Sequence, residues 1–189
     1  MNPIERASTL RQEADRVLQE VGVPQILLPY GRVVPTGSYF LDLMAYPDVD
    51  LYLSRVSIEQ LFQIGGQVAQ SARVVQVVFE RSRTPQLPGG LYLKARVDYG
   101  DWGRPWKIDI WSLDEAVIED RMRPMQVFKA RMTPHLREQI IRYKVSVLTA
   151  QHRTPMYSGY YIYQAFIEKG LSQPDEVTQY LVEHGIRMQ

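Results

Sequence analysis

The sequence of 189 residues contains no cysteine and no long apolar stretch. Without cysteine the chain cannot form disulfides, thiolate zinc sites or a cysteine nucleophile. No uninterrupted apolar run approaches the roughly 20 residues that a membrane-spanning helix needs. The N-terminal segment has acids and bases every few residues and lacks the apolar core of a secretory signal. We therefore expect a cytoplasmic protein that does not contact a membrane.

An excess of charge of either sign is also missing. Lys and Arg number 22 and Asp and Glu number 21, which gives a formal net charge of +1. Proteins that bind nucleic acid without sequence preference normally carry a broad basic surface, so a nucleic-acid partner is disfavoured. The three histidines have no spacing typical of a zinc site, and we interpret them as structural.

The pattern that is present predicts one α+β unit. Apolar residues at three- and four-residue steps predict a helix over residues 3–21, and Ser57 with Gln60 forms the capping box of another helix. Strand patterns occupy residues 32–35, 48–53, 73–80, 91–98 and 106–111. Beyond these strands, helices are predicted over residues 113–122, 133–149, 158–168 and 174–183, with Pro124 between the first two. We therefore predict a mixed β-sheet core with flanking helices and a C-terminal helical segment.

Two acidic residues share one face of a predicted strand. Between Asp48 and Leu53 the residues alternate, so that Asp48, Asp50 and Tyr52 lie on one face and apolar residues on the other. Carboxylates held close together repel one another and resist ionisation unless a cation joins them. Because Asp48 and Asp50 are two residues apart, both carboxylates can reach one hard cation that prefers oxygen ligands.

A third carboxylate is available on a later strand. Asp109 alternates with Ile108 and Ile110, so it faces the same cleft if its strand lies beside the first one. Three carboxylates on one sheet face are typical of a two-metal phosphoryl-type transfer. Lys107 shares the face of Asp109, and two interpretations stay open: it neutralises phosphate or leaving pyrophosphate, or it forms a simple surface ion pair.

A turn suited to phosphate precedes these acids. Thr36, Gly37 and Ser38 break a short β-branched segment, and the residues from Tyr39 to Ala45 can start a helix. Glycine permits close backbone approach, and a helix start offers free N–H groups to an anion. Serine is also a common helix cap, so this turn indicates a phosphate site only in combination with the acids that follow it.

Taken in order, Thr36-Gly37-Ser38, Asp48-Val49-Asp50-Leu51 and Lys107-Ile108-Asp109-Ile110 resemble the DNA polymerase beta-like nucleotidyltransferase superfamily. Its pattern is Gly-Gly/Ser, a short gap, an Asp-x-Asp/Glu strand and a later third acid. The resemblance covers the chain up to about residue 125, and we compare it with the small bacterial antibiotic- or antitoxin-type members. It implies a nucleotidyltransferase catalytic domain over residues 1–128 and a C-terminal helical segment over residues 129–189.

The resemblance also implies roles for the motif residues. Gly37 and Ser38 would contact the phosphates of ATP or another nucleoside triphosphate. Asp48, Asp50 and Asp109 would hold two Mg²⁺ ions, with Mn²⁺ as a possible substitute. The activity implied is transfer of a nucleoside monophosphate to a small-molecule or protein hydroxyl, with release of pyrophosphate. The alternative is a non-catalytic nucleotide-binding or protein-interaction module on the same fold.

Residues 40–46 depart from the antibiotic-modifying members, which commonly have small residues there, so the acceptor stays open. We expect the C-terminal helices to form the wall of the acceptor pocket, lined by the tyrosines between Tyr157 and Tyr163, although their helical spacing also suits simple packing. Asp42 is interpreted as a capping or solvated residue. Arg137 and Lys144 are predicted to lie on a solvated helix face.

Overall fold

The computed structural model describes residues 1–83 and 86–188, which form a five-stranded sheet with helices around it. The elements are α1 (Pro3–Val21), α2 (Val23–Leu27), a 3₁₀ turn (Leu28–Tyr30), β1 (Val33–Thr36), α3 (Gly37–Leu41), β2 (Asp48–Ser54), α4 (Ile58–Val68), β3 (Val74–Arg81), β4 (Leu91–Val97), β5 (Trp106–Leu113), α5 (Glu115–Arg131), α6 (Pro134–Ser146), α7 (Ser158–Ile167) and α8 (Pro174–Glu183). No helix in these ranges is long and apolar enough to cross a membrane.

The sheet has the strand order β1-β2-β5-β4-β3. Strands β2 and β5 are parallel, and the other neighbouring pairs are antiparallel. The predicted α+β fold with a mixed sheet and flanking helices is therefore confirmed. The parallel pair lies in the interior of the sheet, which brings the two acidic strands side by side.

One face of the sheet packs against α1, α2 and α4. Helix α1 begins with a capping box between Asn2 and Glu5 and ends at Gly22, whose φ of 78° suits a residue without a side chain. Its buried residues recur at three- and four-residue steps and meet the apolar sides of β2 and β5. Ser57 and Gln60 close the capping box of α4, as predicted from the sequence.

The last four helices build a second apolar cluster. It contains Phe128 of α5, Ile140 and Ile141 of α6, and buried residues of α7 and α8. Leu41 at the end of α3 and Leu43 in the segment before β2 join it. The C-terminal helices are thus packed against the chain close to the acidic strand. Residue 128 lies inside α5, and the division of the chain at that point remains a proposal.

Two predicted helix ends were wrong. Pro124 does not end a helix, because α5 continues from Glu115 to Arg131. A proline removes one helical hydrogen bond, and burial of Met122, Met125 and Phe128 on either side of it keeps the helix continuous. Helix α3 ends earlier than predicted, since Asp42 turns into the left-handed region with a φ of 58° and pairs with Arg137 at 2.9 Å.

Candidate active site

The strand register brings the three predicted acids together. In the parallel pair, Asp50 of β2 lies opposite Asp109 of β5, and Asp48 lies opposite Lys107. Opposed residues of neighbouring strands project from the same face of a sheet. One carboxylate oxygen from each of Asp48, Asp50 and Asp109 lies within 4.8 Å of the other two. Oxygen donors at this spacing form a group that a hard divalent cation can bind.

Burial makes this acidic group costly when no cation is bound. Asp48 and Asp109 are buried, and Asp50 is partly exposed to the adjoining cavity. Burial raises the pKa of Asp50 well above its usual value, and the neighbouring Asp48 and Asp109 carboxylates raise it further. Burial also raises the pKa of Asp48, although Lys107 opposes that shift. A positive charge at this position would favour the ionised form of both groups.

Lys107 supplies part of that positive charge. Its Nζ lies 3.1 Å from Asp48 Oδ1 and 2.8 Å from Asp109 Oδ2, and its side chain is 19% exposed. Burial alone would lower the pKa of Lys107, but the nearby Asp carboxylates outweigh burial and raise it. The interpretation of Lys107 as half of a simple surface pair is therefore wrong, because it joins two acids of the site.

The carboxylates differ in how well hydrogen bonds satisfy them. The Tyr92 hydroxyl donates to Asp109 Oδ1 at 2.7 Å, and the Tyr92 ring stacks on Trp111 with centroids 4.4 Å apart. Asp48 Oδ1 is buried and accepts no hydrogen bond of good geometry from residues 1–83 or 86–188. The Lys107 ammonium lies 3.1 Å from this oxygen without good hydrogen-bond geometry, so the charge of Asp48 is only partly compensated. Tyr92 was not identified from the sequence, since its position beside Asp109 depends on the strand order.

The turn at Gly37 and Ser38 touches the same acids. Thr36 at the end of β1 pairs with Asp50 of β2 in antiparallel register. Gly37 has a φ of +60°, and a Cβ added to it would lie 2.6 Å from Asp50 Oδ2. Only glycine fits here, since both the backbone conformation and the space exclude a side chain. Ser38 follows in α3 and lines the same cavity as the acids.

A second lysine lies behind the acids and was predicted wrongly from the sequence. Lys144 of α6 is 2% exposed rather than solvated. Its Nζ donates to the Leu43 carbonyl oxygen at 2.6 Å and to the Tyr163 hydroxyl at 3.2 Å. Burial lowers its pKa to about 8, although Asp48 and Asp50 oppose that shift. Lys144 therefore links α6 and α7 to the segment that leads into β2. Arg137, also predicted to be solvated, is partly buried against Asp42.

A cavity of about 560 Å³ opens over the acids, within the size range of small-molecule sites. The turn at Gly37 and Ser38 and the carboxylates Asp48 and Asp50 lie along its floor. The rest of its lining is mainly aromatic and basic: Tyr46, Tyr52, Trp111, Arg121, Arg123, Tyr160 and Tyr163. Asp120 also lines the cavity and forms ion pairs with both arginines, so the aromatic residues, which can contact a planar ring, are the clearer feature of this wall.

The C-terminal helices contribute part of this wall. Tyr160 and Tyr163 of α7 face the cavity that contains Asp48. Tyr157 is 81% exposed and lies along different depressions of the surface. Tyr161 packs its ring 4.9 Å from that of His184. The tyrosine group thus divides between cavity lining and ordinary packing, which the sequence could not distinguish. Whether this wall contacts an acceptor remains a proposal.

No protein-family model matches the chain, and no curated protein matches it. Among solved structures the chain is similar to the Cid1 poly(U) polymerase, in a crystal structure with MgGTP bound. The sequence identity is 15% and the TM-score is 0.46. The match covers 76% of this chain and 43% of that chain, so this chain spans less than half of that protein. What that protein binds is stated of that protein alone.

Proposed function

We propose that this chain is a nucleotidyltransferase of the DNA polymerase beta-like superfamily. It would move a nucleoside monophosphate from a nucleoside triphosphate to a hydroxyl acceptor and release pyrophosphate. The observation that carries this proposal is the convergence of Gly37, Asp50 and Asp109, since one antiparallel and one parallel strand pair place the turn and the acids side by side. Three motifs far apart in the sequence thereby come together, with the turn, Asp48 and Asp50 at the cavity floor and Asp109 beside Asp50.

The three grouped carboxylates fit magnesium. Asp48, Asp50 and Asp109 would hold two Mg²⁺ ions, with Mn²⁺ as a substitute, because carboxylate oxygens are the ligands that these hard cations prefer. The close spacing of the three carboxylates and the raised pKa values of Asp48 and Asp50, which persist although Lys107 contacts Asp48, support this assignment. When bound, such ions supply Lewis-acid stabilisation of the charge on the attacking and leaving oxygens.

The protein groups would orient the two substrates. Without a side chain at Gly37, a phosphate can approach the turn backbone, and the Ser38 hydroxyl can donate to it. Tyr52 and Trp111 on the sheet and Tyr160 on α7 offer aromatic surfaces to the base or ribose. Tyr92 fixes Asp109 in one orientation, which suits Asp109 to receive the proton of the acceptor hydroxyl.

The proposal is tested by magnesium-dependent release of pyrophosphate with each nucleoside triphosphate and a panel of hydroxyl acceptors. Asp48→Asn, Asp50→Asn and Asp109→Asn should each lower turnover by about a thousandfold, since each removes a charge that stabilises developing oxyanions. The matched control is Asp101→Asn, which changes an exposed acid in the loop before β5. Wild-type turnover in the Asp109→Asn variant would overturn the catalytic assignment.

A second measurement separates a binding module from an enzyme. Mg²⁺ together with a nucleoside triphosphate should raise the melting temperature more than either alone, because the ligand joins the turn to the carboxylates. Stabilisation by the pair without pyrophosphate release from any acceptor would favour the non-catalytic alternative. No stabilisation by the pair would contradict both assignments.

A further inference from the structure

The sheet order separates the two sides of the acidic group. On one side stands β1 with the turn at Gly37 and Ser38, and on the other side stands β4. In an in-line displacement the attacking oxygen approaches opposite the leaving group. If the triphosphate lies at the turn, as proposed above, the acceptor approaches over β4. The residues of β4 on the acidic face would therefore contact the acceptor and help to determine which acceptors bind.

Strand β4 presents basic residues on that face. Lys94 lies opposite Asp109, and Arg96 lies opposite Lys107, in the antiparallel register of β4 with β5. Both side chains are half-buried. Among residues 1–83 and 86–188, neither Lys94 nor Arg96 has a carboxylate within ion-pair distance. By contrast, Lys107 on the neighbouring strand contacts two carboxylates.

Arg104, in the loop between β4 and β5, adds donors that lack acceptors. Its guanidinium lies 5.3 Å from the centroid of the Tyr46 ring. Its Nε and Nη1 atoms are buried and find no hydrogen-bond partner in the described part of the chain. Burial lowers the pKa of Arg104, and the nearby Arg153 and Arg96 lower it further, while Asp48 opposes the shift. Like charges and free donors are thus gathered beside Asp48.

Such an arrangement is unfavourable unless an anion binds. Buried guanidinium donors without partners carry a desolvation penalty, and clustered arginines repel one another. A phosphate or similar group relieves both costs, because guanidinium binds such oxygens through paired hydrogen bonds. The near-neutral net charge of the chain conceals this local concentration of positive charge.

We propose that the acceptor carries an anionic group, such as a phosphate, which Arg96 and Arg104 bind while Lys94 flanks it and the acceptor hydroxyl reaches Asp109. This inference rests on the proposed function and narrows its substrate class. A phosphorylated small molecule and a nucleic-acid backbone offer the same chemistry here. A polycationic acceptor such as an aminoglycoside is disfavoured, since it would meet the basic side chains of β4.

The test is a set of titrations on the full chain saturated with Mg²⁺ and a non-hydrolysable ATP analogue. The probes are ribose 5-phosphate, a short oligoribonucleotide, neutral ribose and kanamycin. At least one of the two phosphate-bearing probes should bind about tenfold or more tightly than ribose, and its affinity should fall with added salt. Stronger binding of ribose 5-phosphate identifies a small-molecule source, and stronger binding of the oligonucleotide identifies a backbone.

Arg96→Gln and Arg104→Gln should each lower the affinity for the phosphate-bearing probe about tenfold. The affinity for the ATP analogue should be unchanged. Arg16→Gln, which removes an exposed charge from α1, is the matched control. The inference is overturned if both phosphate-bearing probes bind no better than ribose or kanamycin, or if the Arg96→Gln variant binds them as well as the wild type. Failure of the wild type to bind the ATP analogue would instead count against the proposed function.

Discussion

The two faces of the sheet are built from the same strands and differ in how completely their groups are satisfied. On the face toward α1 and α4, Val49, Leu51 and Ile108 are buried among other apolar side chains. On the opposite face, the alternate residues Asp48, Asp50 and others carry charge. Most buried polar atoms without a hydrogen bond in the described chain lie around that second face, namely Asp48 Oδ1, Arg104 Nε and Nη1, and Arg121 Nε, whereas Trp106 Nε1 lies on the first.

This difference indicates what each face is for. Buried apolar contacts contribute their full stabilisation without any ligand, so the first face stabilises the fold. Charged groups that are buried and incompletely paired have an unfavourable free energy, which a bound ligand of opposite charge would reduce. The incompletely paired groups of the second face therefore oppose folding of the free protein. Four predictions test this contrast, from the largest expected effect to the smallest.

A charge placed on the apolar face should unfold the protein. Ile108→Asp puts a carboxylate at a position that is fully buried between Val49 and Ala95. We expect a loss of more than about 4 kcal/mol in the free energy of unfolding, since this charge has no partner. Urea denaturation measures the loss, and Ile108→Val should cost only about 1 kcal/mol. Near wild-type stability of the Ile108→Asp variant would contradict the division between the faces.

The buried Lys144 should give the stability of the protein an unusual pH dependence. Its pKa is lowered from 10.5 to about 8 in the folded chain. Between these values the unfolded chain binds more protons than the folded chain, so stability rises with pH. We expect a rise of up to about 1.4 kcal/mol per unit from pH 8 to about pH 10, above which tyrosine ionisation adds its own effect.

Urea unfolding at several pH values measures this dependence. Lys144→Met should remove the rise, because it leaves no proton to release at this position. Lys169→Met, which changes an exposed lysine after α7, should retain the rise. A flat profile in the wild type would show that Lys144 is not desolvated as its burial implies.

Neutralising two acids of the site should change metal-free stability in opposite directions. Asp50 has a pKa raised by burial and by Asp48 and Asp109, so its ionised form opposes folding at neutral pH. Asp50→Asn should therefore raise the melting temperature, by about 2–4 °C for each kcal/mol gained. Asp109→Asn should lower it, because it weakens the bonds from Tyr92 and Lys107.

Melting temperatures recorded with a chelator test this contrast. Asp101→Asn in the exposed loop is the control and should change the melting temperature little. Equal shifts for the Asp50→Asn and Asp109→Asn variants would contradict the different surroundings of the two carboxylates. The sequence indicated that carboxylates held close together repel one another, and the structure distinguishes Asp109 by its bonds to Tyr92 and Lys107.

The smallest expected effect concerns the helix that covers the apolar face. Gly66 of α4 has no atom within 4 Å of an added Cβ, so Gly66→Ala should stabilise the protein by about 0.5–1 kcal/mol. At the adjacent Gly65 an added Cβ would lie 3.2 Å from Leu93 Cδ1. Gly65→Ala should therefore gain less or lose stability. Urea midpoints of the two variants provide the measurement, and equal gains would contradict the packing of α4 on β4.

The sequence predicted the local structure of the site well. Alternation from Asp48 to Leu53 identified the acidic face, because a strand has a strict period of two. The glycine at position 37 was identified by the turn that it makes. What remained open was the strand order, since no local pattern states that β5 lies beside β2. The positions of Tyr92, Lys94 and Arg96 relative to the acids depend on that order and were therefore not recognised.

Other errors arose where tertiary contacts override local preference. Lys144 belongs to a helix of mixed charge, which is typical of a solvated face, yet its ammonium is enclosed by Leu43 and Tyr163. Pro124 usually marks a helix boundary, but apolar contacts on both sides keep α5 continuous. Arg104 lies in a loop, where sequence patterns carry little information about burial.

The link from Lys144 to Leu43 and Tyr163 has a consequence for synthesis of the protein on the ribosome. All five strands are complete by Leu113, so the sheet that carries the acids can assemble while the chain is still growing. The wall that includes Tyr163 must wait for another 50 residues, the difference between positions 113 and 163. At common translation rates this takes about 3–10 s. During that interval the acidic strands have no C-terminal cover, and the bonds of Lys144 to Leu43 and Tyr163 can be completed only after α7 has been made.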